Sequence, residues 1–165
     1  MKKRWGRTAW ILWLVLAAVA GMPASAAPAQ KAKAAAGYDL AADEGLGGHT
    51  LARHVGKTDA ELAARLRSEP QISSASTYTD RATAERAVGA AIAAEKSKLT
   101  AWANRRGRRP NLVLRYAEPA GKPLGRTLGR GQSKSVAASW AVVVLRWDER
   151  RGRFIVLTSY PERYR

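Results

Sequence analysis

The chain of 165 residues contains no cysteine and only two histidines, His49 and His54. Without cysteine it has no disulfide, no thiol nucleophile and no cysteine-ligated zinc site. A hydrophobic core must therefore hold the fold, and about 120 residues are enough to form one. Acidic residues are also scarce, because 13 Asp and Glu stand against 29 Lys and Arg, a net charge of +16. Such a charge favours a polyanionic partner: nucleic acid, an anionic membrane surface or an acidic protein.

Long apolar runs are missing except near the N-terminus. Residues 1–26 have the pattern of a secretory signal peptide, with a basic start, an apolar run from Thr8 to Val19, and Ala24-Ser25-Ala26 before the cleavage point. The run is about a dozen residues long and a spanning helix needs about 20, so a removed signal fits better than a membrane anchor. Cleavage removes four of the 29 basic residues and none of the 13 acidic ones, leaving a net charge of about +12. We expect a secreted or periplasmic protein without a stable membrane span.

Residues 27–37 are of low complexity and lack large apolar side chains, which predicts a flexible linker before a folded domain over 38–165. Three helices are predicted in the first part of that domain. One covers Leu46 to Val55, and a second begins with the capping-box sequence TDAE and runs from Thr58 to Arg67. The third is long, from Asp80 to Asn104, with apolar side chains spaced for burial.

The hydrophobic period changes to two in the last third of the chain, which predicts strands over Leu112–Tyr116, Ser139–Trp147 and Phe154–Tyr160. A hairpin connection over 148–153 joins the last two strands. The glycine-rich basic stretch 118–137 is expected to be a long loop. Helices first and strands last predict an α+β domain, with N-terminal helices packed on a C-terminal antiparallel sheet.

The two histidines are the side chains whose ordinary pKa lies closest to neutrality. On one helix, a spacing of five residues would place them about 140° apart. This disfavours a two-histidine metal clamp, and no acidic cluster stands nearby to complete one. We therefore predict no metal and no cofactor. His49 follows two glycines at a helix start and is expected to have a structural or supporting role.

Cleavage of RNA without a metal needs few groups. A base takes the proton of the ribose 2′-hydroxyl, an acid protonates the 5′-oxygen that leaves, and a fixed cation stabilises the charge on the phosphoryl oxygens. Imidazole suits the first two roles because it titrates near neutrality. Arginine suits the third because its planar fork donates two parallel hydrogen bonds.

The segment GGHTLARHVGKT (residues 47–58), followed by Leu62 and Arg65-Leu66, resembles the bacterial ribonuclease A-like toxin domains at the ends of contact-dependent growth inhibition proteins. The closing TSYP (residues 158–161) resembles the last strand of the same family. The resemblance covers about residues 43–162. It implies a ribonuclease A-like fold without disulfides, and a metal-independent ribonuclease that acts by transphosphorylation through a 2′,3′-cyclic phosphate.

By position, the resemblance implies active-site roles for His54, Arg65, Thr158 and Tyr160. His54 would act as general base or acid, and Arg65 would stabilise the phosphorane. Thr158 would bind phosphate or a base edge, while Tyr160 would orient or protonate. This sequence has no histidine near its C-terminus, so the second proton-transfer group is open, with Tyr160 preferred.

Five further basic residues are candidates for binding substrate phosphates: Lys57, Arg105, Arg106, Arg126 and Arg130. Binding through them should weaken steeply with salt, since each neutralised phosphate releases counterions. The same charges would equally suit a solvated surface. The expected partners are RNA and, by resemblance, a cognate immunity protein, with the domain itself a monomer.

Two functions compete for these observations. The first is an exported RNA endonuclease that serves as a toxin or effector. The second is a non-catalytic cationic protein that binds nucleic acid or the anionic envelope. The second explains charge and export equally well, but it does not explain why all four candidate catalytic residues occur together. A metal-dependent DNase is a weaker third hypothesis, because no carboxylate–histidine constellation is visible.

Overall fold

The computed structural model of the protein describes residues 37–119 and 121–163. Within them the chain forms five helices and six strands, in the order α1 (Leu40–Glu44), α2 (Thr50–His54), α3 (Asp59–Ser68), β1 (Ser74–Tyr78), α4 (Arg81–Ala94), α5 (Lys96–Ala103), β2 (Leu112–Ala117), β3 (Gly125–Gly129), β4 (Val136–Ala138), β5 (Trp140–Asp148) and β6 (Arg153–Glu162). The predicted signal peptide and residues 27–36 of the predicted linker lie outside the described residues. In the described part, no helix combines the length and apolar character needed to cross a membrane.

The strands form two three-stranded antiparallel sheets, with the orders β1-β3-β4 and β2-β5-β6. The predicted α+β class, with N-terminal helices and antiparallel strands, is thereby confirmed. The prediction of one long loop over 118–137 is wrong, because this stretch contains β3 and β4. Its strand signal is weak in sequence, since Leu128 is the one large apolar side chain in β3, which has glycine at both ends.

β1 lies between α3 and α4 and was not predicted, because its sequence SASTY is small and mostly polar. Four of its five residues are nevertheless buried, since β1 pairs with β3 and also contacts β6. The hydroxyl of Tyr78 on β1 donates to Oγ of Ser159 on β6 over 2.6 Å, and that Oγ donates to the carbonyl of Val142 over 2.9 Å. The first of these bonds connects the two sheets across their junction, and the second lies within the sheet β2-β5-β6.

The predicted helix caps agree with the structure better than the predicted helix lengths do. Thr58 and Glu61 form the expected capping box at the start of α3. The long third helix is divided at Glu95, where the backbone (φ −106°, ψ 26°) leaves the helical range, into α4 and α5. As the spacing predicted, Val88 and Trp102 are buried in the main core.

The main core lies between α4 and the sheet β2-β5-β6, and a smaller core joins α3 to β1 and β3. α2 packs against both β6 and β1, and Val55 at its end forms a bridge with Tyr78. This packing places the C-terminal end of α2 at the junction of the two sheets. His54, the last residue of α2, is therefore presented at that junction.

Candidate active site

A cavity of about 480 Å³ opens at the junction, between β1 and β6. All four residues predicted to be catalytic line it: His54, Arg65, Thr158 and Tyr160. They come from α2, α3 and β6, so the fold brings together residues that are more than a hundred positions apart in sequence. The rest of the lining is largely polar, with serines of β1 and the segment before it.

His54 is a buried imidazole with a fixed orientation. Its side chain places Nδ1 3.0 Å from the carbonyl oxygen of Ser76. A carbonyl only accepts hydrogen bonds, so this contact assigns the ring proton to Nδ1 and leaves the lone pair on Nε2. Burial lowers the pKa of His54 to about 4, against the opposing effect of the Ser76 hydrogen bond and with a further lowering by Arg65. At neutral pH the ring is therefore uncharged, and its Nε2 lone pair accepts a long hydrogen bond from Nη1 of Arg65.

Arg65 supplies a positive charge next to this base. Its Nη1 lies 3.5 Å from Nε2 of His54. Its Nε donates over 3.2 Å to Glu69, one helical turn further along α3. Glu69 also attracts Arg53 at 3.8 Å. The carboxylate of Glu69 thus holds Nε of the Arg65 guanidinium, while Nη1 is directed to His54.

Thr158 and Tyr160 occupy one face of β6, as their spacing of two predicted. The register of β6 shifts just before them, because Val144 pairs with Thr158 while Leu145 pairs with Val156, which leaves Leu157 as a bulge. Oγ1 of Thr158 is buried and has no hydrogen-bond partner among the described residues. A buried hydroxyl without a partner is costly, and Thr158 forms part of the cavity wall.

Tyr160 lies beside His54, with 5.4 Å between the two ring centroids. Burial raises the pKa of Tyr160, and the neighbouring carboxylate of Glu162 raises it further. The phenol therefore keeps its proton at neutral pH and acts as a hydrogen-bond donor rather than a base.

The structure corrects the placement of His49. The helical separation of 140° does not apply, because His49 precedes α2 as its N-cap residue, with φ −152° and ψ 26°. Its ring lies 6.5 Å from that of His54, and both rings line the cavity. Within residues 37–119 and 121–163, no group of three or more His, Asp or Glu side chains is arranged to hold a metal ion.

The comparisons with known proteins agree with this geometry. The family model of the Bacterial CdiA-CT RNAse A domain matches residues 48–161. The chain belongs to this family. The CdiA-CT RNase A domain of this chain is also similar to the crystal structure of the CdiA-CT/CdiI complex from Y. kristensenii 33638. The two are 31% identical with a TM-score of 0.61, over 70% of this chain and 99% of that chain. A comparison with curated proteins found no match.

The predicted phosphate-binding residues of this CdiA-CT RNase A domain do not line the His54 cavity. Lys57 lines a neighbouring depression of about 250 Å³, which shares Arg65 with that cavity. Its ammonium group lies 3.9 Å from Glu61. Arg105 and Arg106 are exposed in the turn that follows α5. For these three residues, binding of substrate stays a prediction.

Arg126 and Arg130 use their guanidinium groups within the fold. Arg126 donates to Asp59 over 2.8 Å and to the carbonyl of Lys57 over 2.6 Å. Arg130 donates from Nη2 to the carbonyls of Glu69 and Ile72, over 2.9 and 2.8 Å. These bonds tie β3 and the residue after it to α3 and its flanking segments. The structure therefore gives both arginines a structural role, and substrate binding by them also stays a prediction.

Proposed function

We propose that this chain is an endoribonuclease that cleaves RNA by transphosphorylation, without a metal, through a 2′,3′-cyclic phosphate. The observation that carries the proposal is the uncharged, buried His54, whose Nε2 lone pair faces the same cavity as the Arg65 guanidinium. Membership of a family described as an RNase A domain supports it. The basic character of the chain supports a polyanionic substrate.

In this mechanism, Nε2 of His54 takes the proton of the ribose 2′-hydroxyl. The freed oxygen attacks the adjacent phosphorus, and the bond from phosphorus to the 5′-oxygen breaks as that oxygen gains a proton. Arg65 stabilises the negative charge that grows on the phosphoryl oxygens. A preorganised donor of this kind contributes about 10²–10³-fold to the rate when it is measured by removal.

Thr158 and Tyr160 bind the phosphate or the base next to it. Oγ1 of Thr158 gains in the complex the hydrogen bond that it lacks in the free protein. Tyr160 keeps its phenol protonated and donates to a phosphoryl oxygen or to the leaving 5′-oxygen. Both residues sit on a paired strand, which holds their side chains in place for catalysis.

The proposal includes export and a role as a toxin or effector. Export rests on the signal-like pattern of residues 1–26, and it would separate a ribonuclease from the RNA of the cell that makes it. The related Y. kristensenii structure is a complex with CdiI. By analogy, we propose an inhibitor protein as the partner of this domain, acidic in charge so that it complements the basic surface.

The test is incubation of the purified mature protein with RNA in the presence of EDTA, followed by analysis of the product ends. The proposal expects cleavage that leaves 2′,3′-cyclic phosphates. RNA that stays intact but shifts in a gel would contradict it and favour the cationic binding protein predicted as the alternative. Cleavage that EDTA abolishes would contradict the metal-independent mechanism.

A further inference from the structure

We propose that His49 is the second acid–base group of the site and protonates the 5′-oxygen that leaves. This inference rests on the proposed ribonuclease function and fills the role for which the sequence favoured Tyr160. Three conditions must hold. His49 must be held at the cavity, and its ring nitrogens must not be used by another hydrogen bond. The two histidines must also be far enough apart to act on opposite sides of one phosphate.

The backbone holds His49 at the cavity. Its N–H donates over 3.0 Å to the carbonyl of Leu157, the bulged residue immediately before Thr158. Gly48 permits this approach, because a Cβ at Gly48 would lie 2.7 Å from the carbonyl oxygen of Val156. His49 is therefore tied to β6, the strand that carries two of the proposed catalytic residues, while its carbonyl accepts the first hydrogen bond of α2 from the N–H of Arg53 over 3.1 Å.

The ring of His49 is not used for capping the helix. An N-cap side chain ordinarily accepts from the first helical amides, but His49 makes no such bond. The carboxylate of Glu44 in α1 takes this role instead, and it accepts from the amides of Leu51 and Ala52. Within the described residues, the half-buried imidazole of His49 has no hydrogen-bond partner. Both of its nitrogens are consequently available to a ligand.

The distance between the two histidines suits an in-line displacement. The attacking 2′-oxygen and the leaving 5′-oxygen lie on opposite sides of the phosphorus. Each needs a proton-transfer group within about 3 Å, so the two groups are separated by roughly twice that distance or more. The ring centroids of His49 and His54 are 6.5 Å apart, a separation of this size. Arg65 lies in the same cavity, where it can contact the phosphoryl oxygens.

A pair of imidazoles also balances the protons over both steps. In the first step, His54 takes the proton of the 2′-hydroxyl and His49 gives one to the 5′-oxygen. In the second step, His49 takes a proton from the water that attacks the cyclic phosphate, and His54 returns its proton to the 2′-oxygen. Both rings end as they began. Tyr160 is poorly suited to the second step, because a phenol that stays protonated does not accept a proton from water.

Charges around His49 act in both directions. Burial lowers the pKa of its imidazole, and the positive charges of Arg53 and Arg65 lower it further. The carboxylates of Glu44 and Glu69 raise it. A bound phosphate adds negative charge to the same cavity and favours the protonated ring that the acid role requires.

The experiment compares two substrates that share the nucleotide on the 5′ side of the cut and differ in the leaving group. One is an RNA oligonucleotide, which releases a ribose 5′-oxygen and needs an acid. The other is the 3′-(4-nitrophenyl phosphate) of the same nucleotide, whose leaving group departs without a proton. H49Q should lose about 100-fold or more on RNA. It should lose only a few-fold on the nitrophenyl ester, which also shows that the variant is folded.

H54Q and Y160F serve as the comparison variants. H54Q should lose activity on both substrates, since the base is needed whatever the leaving group. Equal loss by H49Q on both substrates, or no loss on either, would overturn the assignment. A leaving-group-dependent loss in Y160F and not in H49Q would transfer the acid role to Tyr160. If the wild-type protein cleaved neither substrate, the ribonuclease function itself would fail, and this result is distinct from all the others.

Discussion

Nη1 of Arg65 lies 3.5 Å from Nε2 of His54, although the two residues belong to different helices and are 11 positions apart. A cation beside an imidazole keeps the imidazole uncharged, so the contact favours the form of His54 that accepts a proton. The same cation faces the place where negative charge would grow on a bound phosphate. One contact therefore serves both the base and the transition state.

Removing this cation should slow the reaction and move its pH dependence. In R65A, kcat/KM for RNA should fall about 100-fold, as expected when one preorganised donor is lost. The pKa of His54 should rise, because a neighbouring positive charge no longer opposes its protonation. The acid limb of the pH profile of kcat/KM should therefore move to higher pH.

R67A is the matched control, since Arg67 is an exposed arginine of the same helix and its loss removes the same charge from the chain. It should leave both the rate and the acid limb close to those of the wild type. An unchanged acid limb in R65A, or equal shifts in both variants, would contradict the contact between Arg65 and His54.

The buried His54 should make the fold less stable in acid. Its pKa is about 4 in the folded protein, against an ordinary value of 6.5. Between these pH values the unfolded chain binds a proton that the folded chain does not. The free energy of unfolding should therefore fall as pH falls from 6.5 to 4, by up to about 3 kcal/mol. In H54Q this part of the decrease should be absent, and denaturant unfolding at pH 7 and pH 4 measures it. The same decrease in both proteins would show that His54 is not desolvated.

The unpartnered hydroxyl of Thr158 should matter to activity and not to folding. T158V keeps the shape of the side chain and removes its oxygen. Stability should stay the same or rise by about 1 kcal/mol, because a buried hydroxyl without a partner is lost. Cleavage of RNA should slow about tenfold or more. A variant that is destabilised and fully active would mean that the hydroxyl serves the fold rather than the substrate.

Replacing Arg130 and Arg106 one at a time should distinguish an arginine that stabilises the fold from one that contacts the substrate. Arg130 donates to the carbonyls of Glu69 and Ile72, so R130A should lower stability by about 1 kcal/mol. Arg106 is exposed, so R106A should leave stability unchanged. If Arg106 contacts a phosphate, as predicted, the slope of log affinity against log salt should fall by about 1. The reverse pattern would exchange the two roles.

The sequence predicted those helices and strands that are determined by residues close to one another in the chain. The capping box of Thr58 and Glu61 and the strands β5 and β6 were predicted from the sequence, and the structure confirms them. β1 and β3 were not visible, because their residues are small or polar and are buried through pairing and sheet contact rather than by apolar character of their own. β1 and β3 pair with each other although about 50 residues separate them, and such pairing leaves no hydrophobic periodicity in either strand.

The active site likewise has a part that the sequence predicted and a part that it did not. The family motif, not periodicity, pointed to His54, Arg65, Thr158 and Tyr160 as one group, and the structure brings all four to one cavity. His49 was placed at a helix start, and it is the N-cap residue of α2, but the sequence did not show that its N–H is bound to β6. Gly48 carried a signal for this, since glycine permits a close approach of two backbones. Sequence alone does not say which backbone approaches.

The most direct test of the account is the rate of RNA cleavage by H54Q in EDTA, measured beside its affinity for RNA. Glutamine retains a polar side chain of similar size but accepts no proton at neutral pH. We expect cleavage about 10²–10⁴-fold slower than that of the wild-type protein, with RNA binding largely retained. Cleavage at the wild-type rate by H54Q would contradict the account, because the base at its centre would then be some other group.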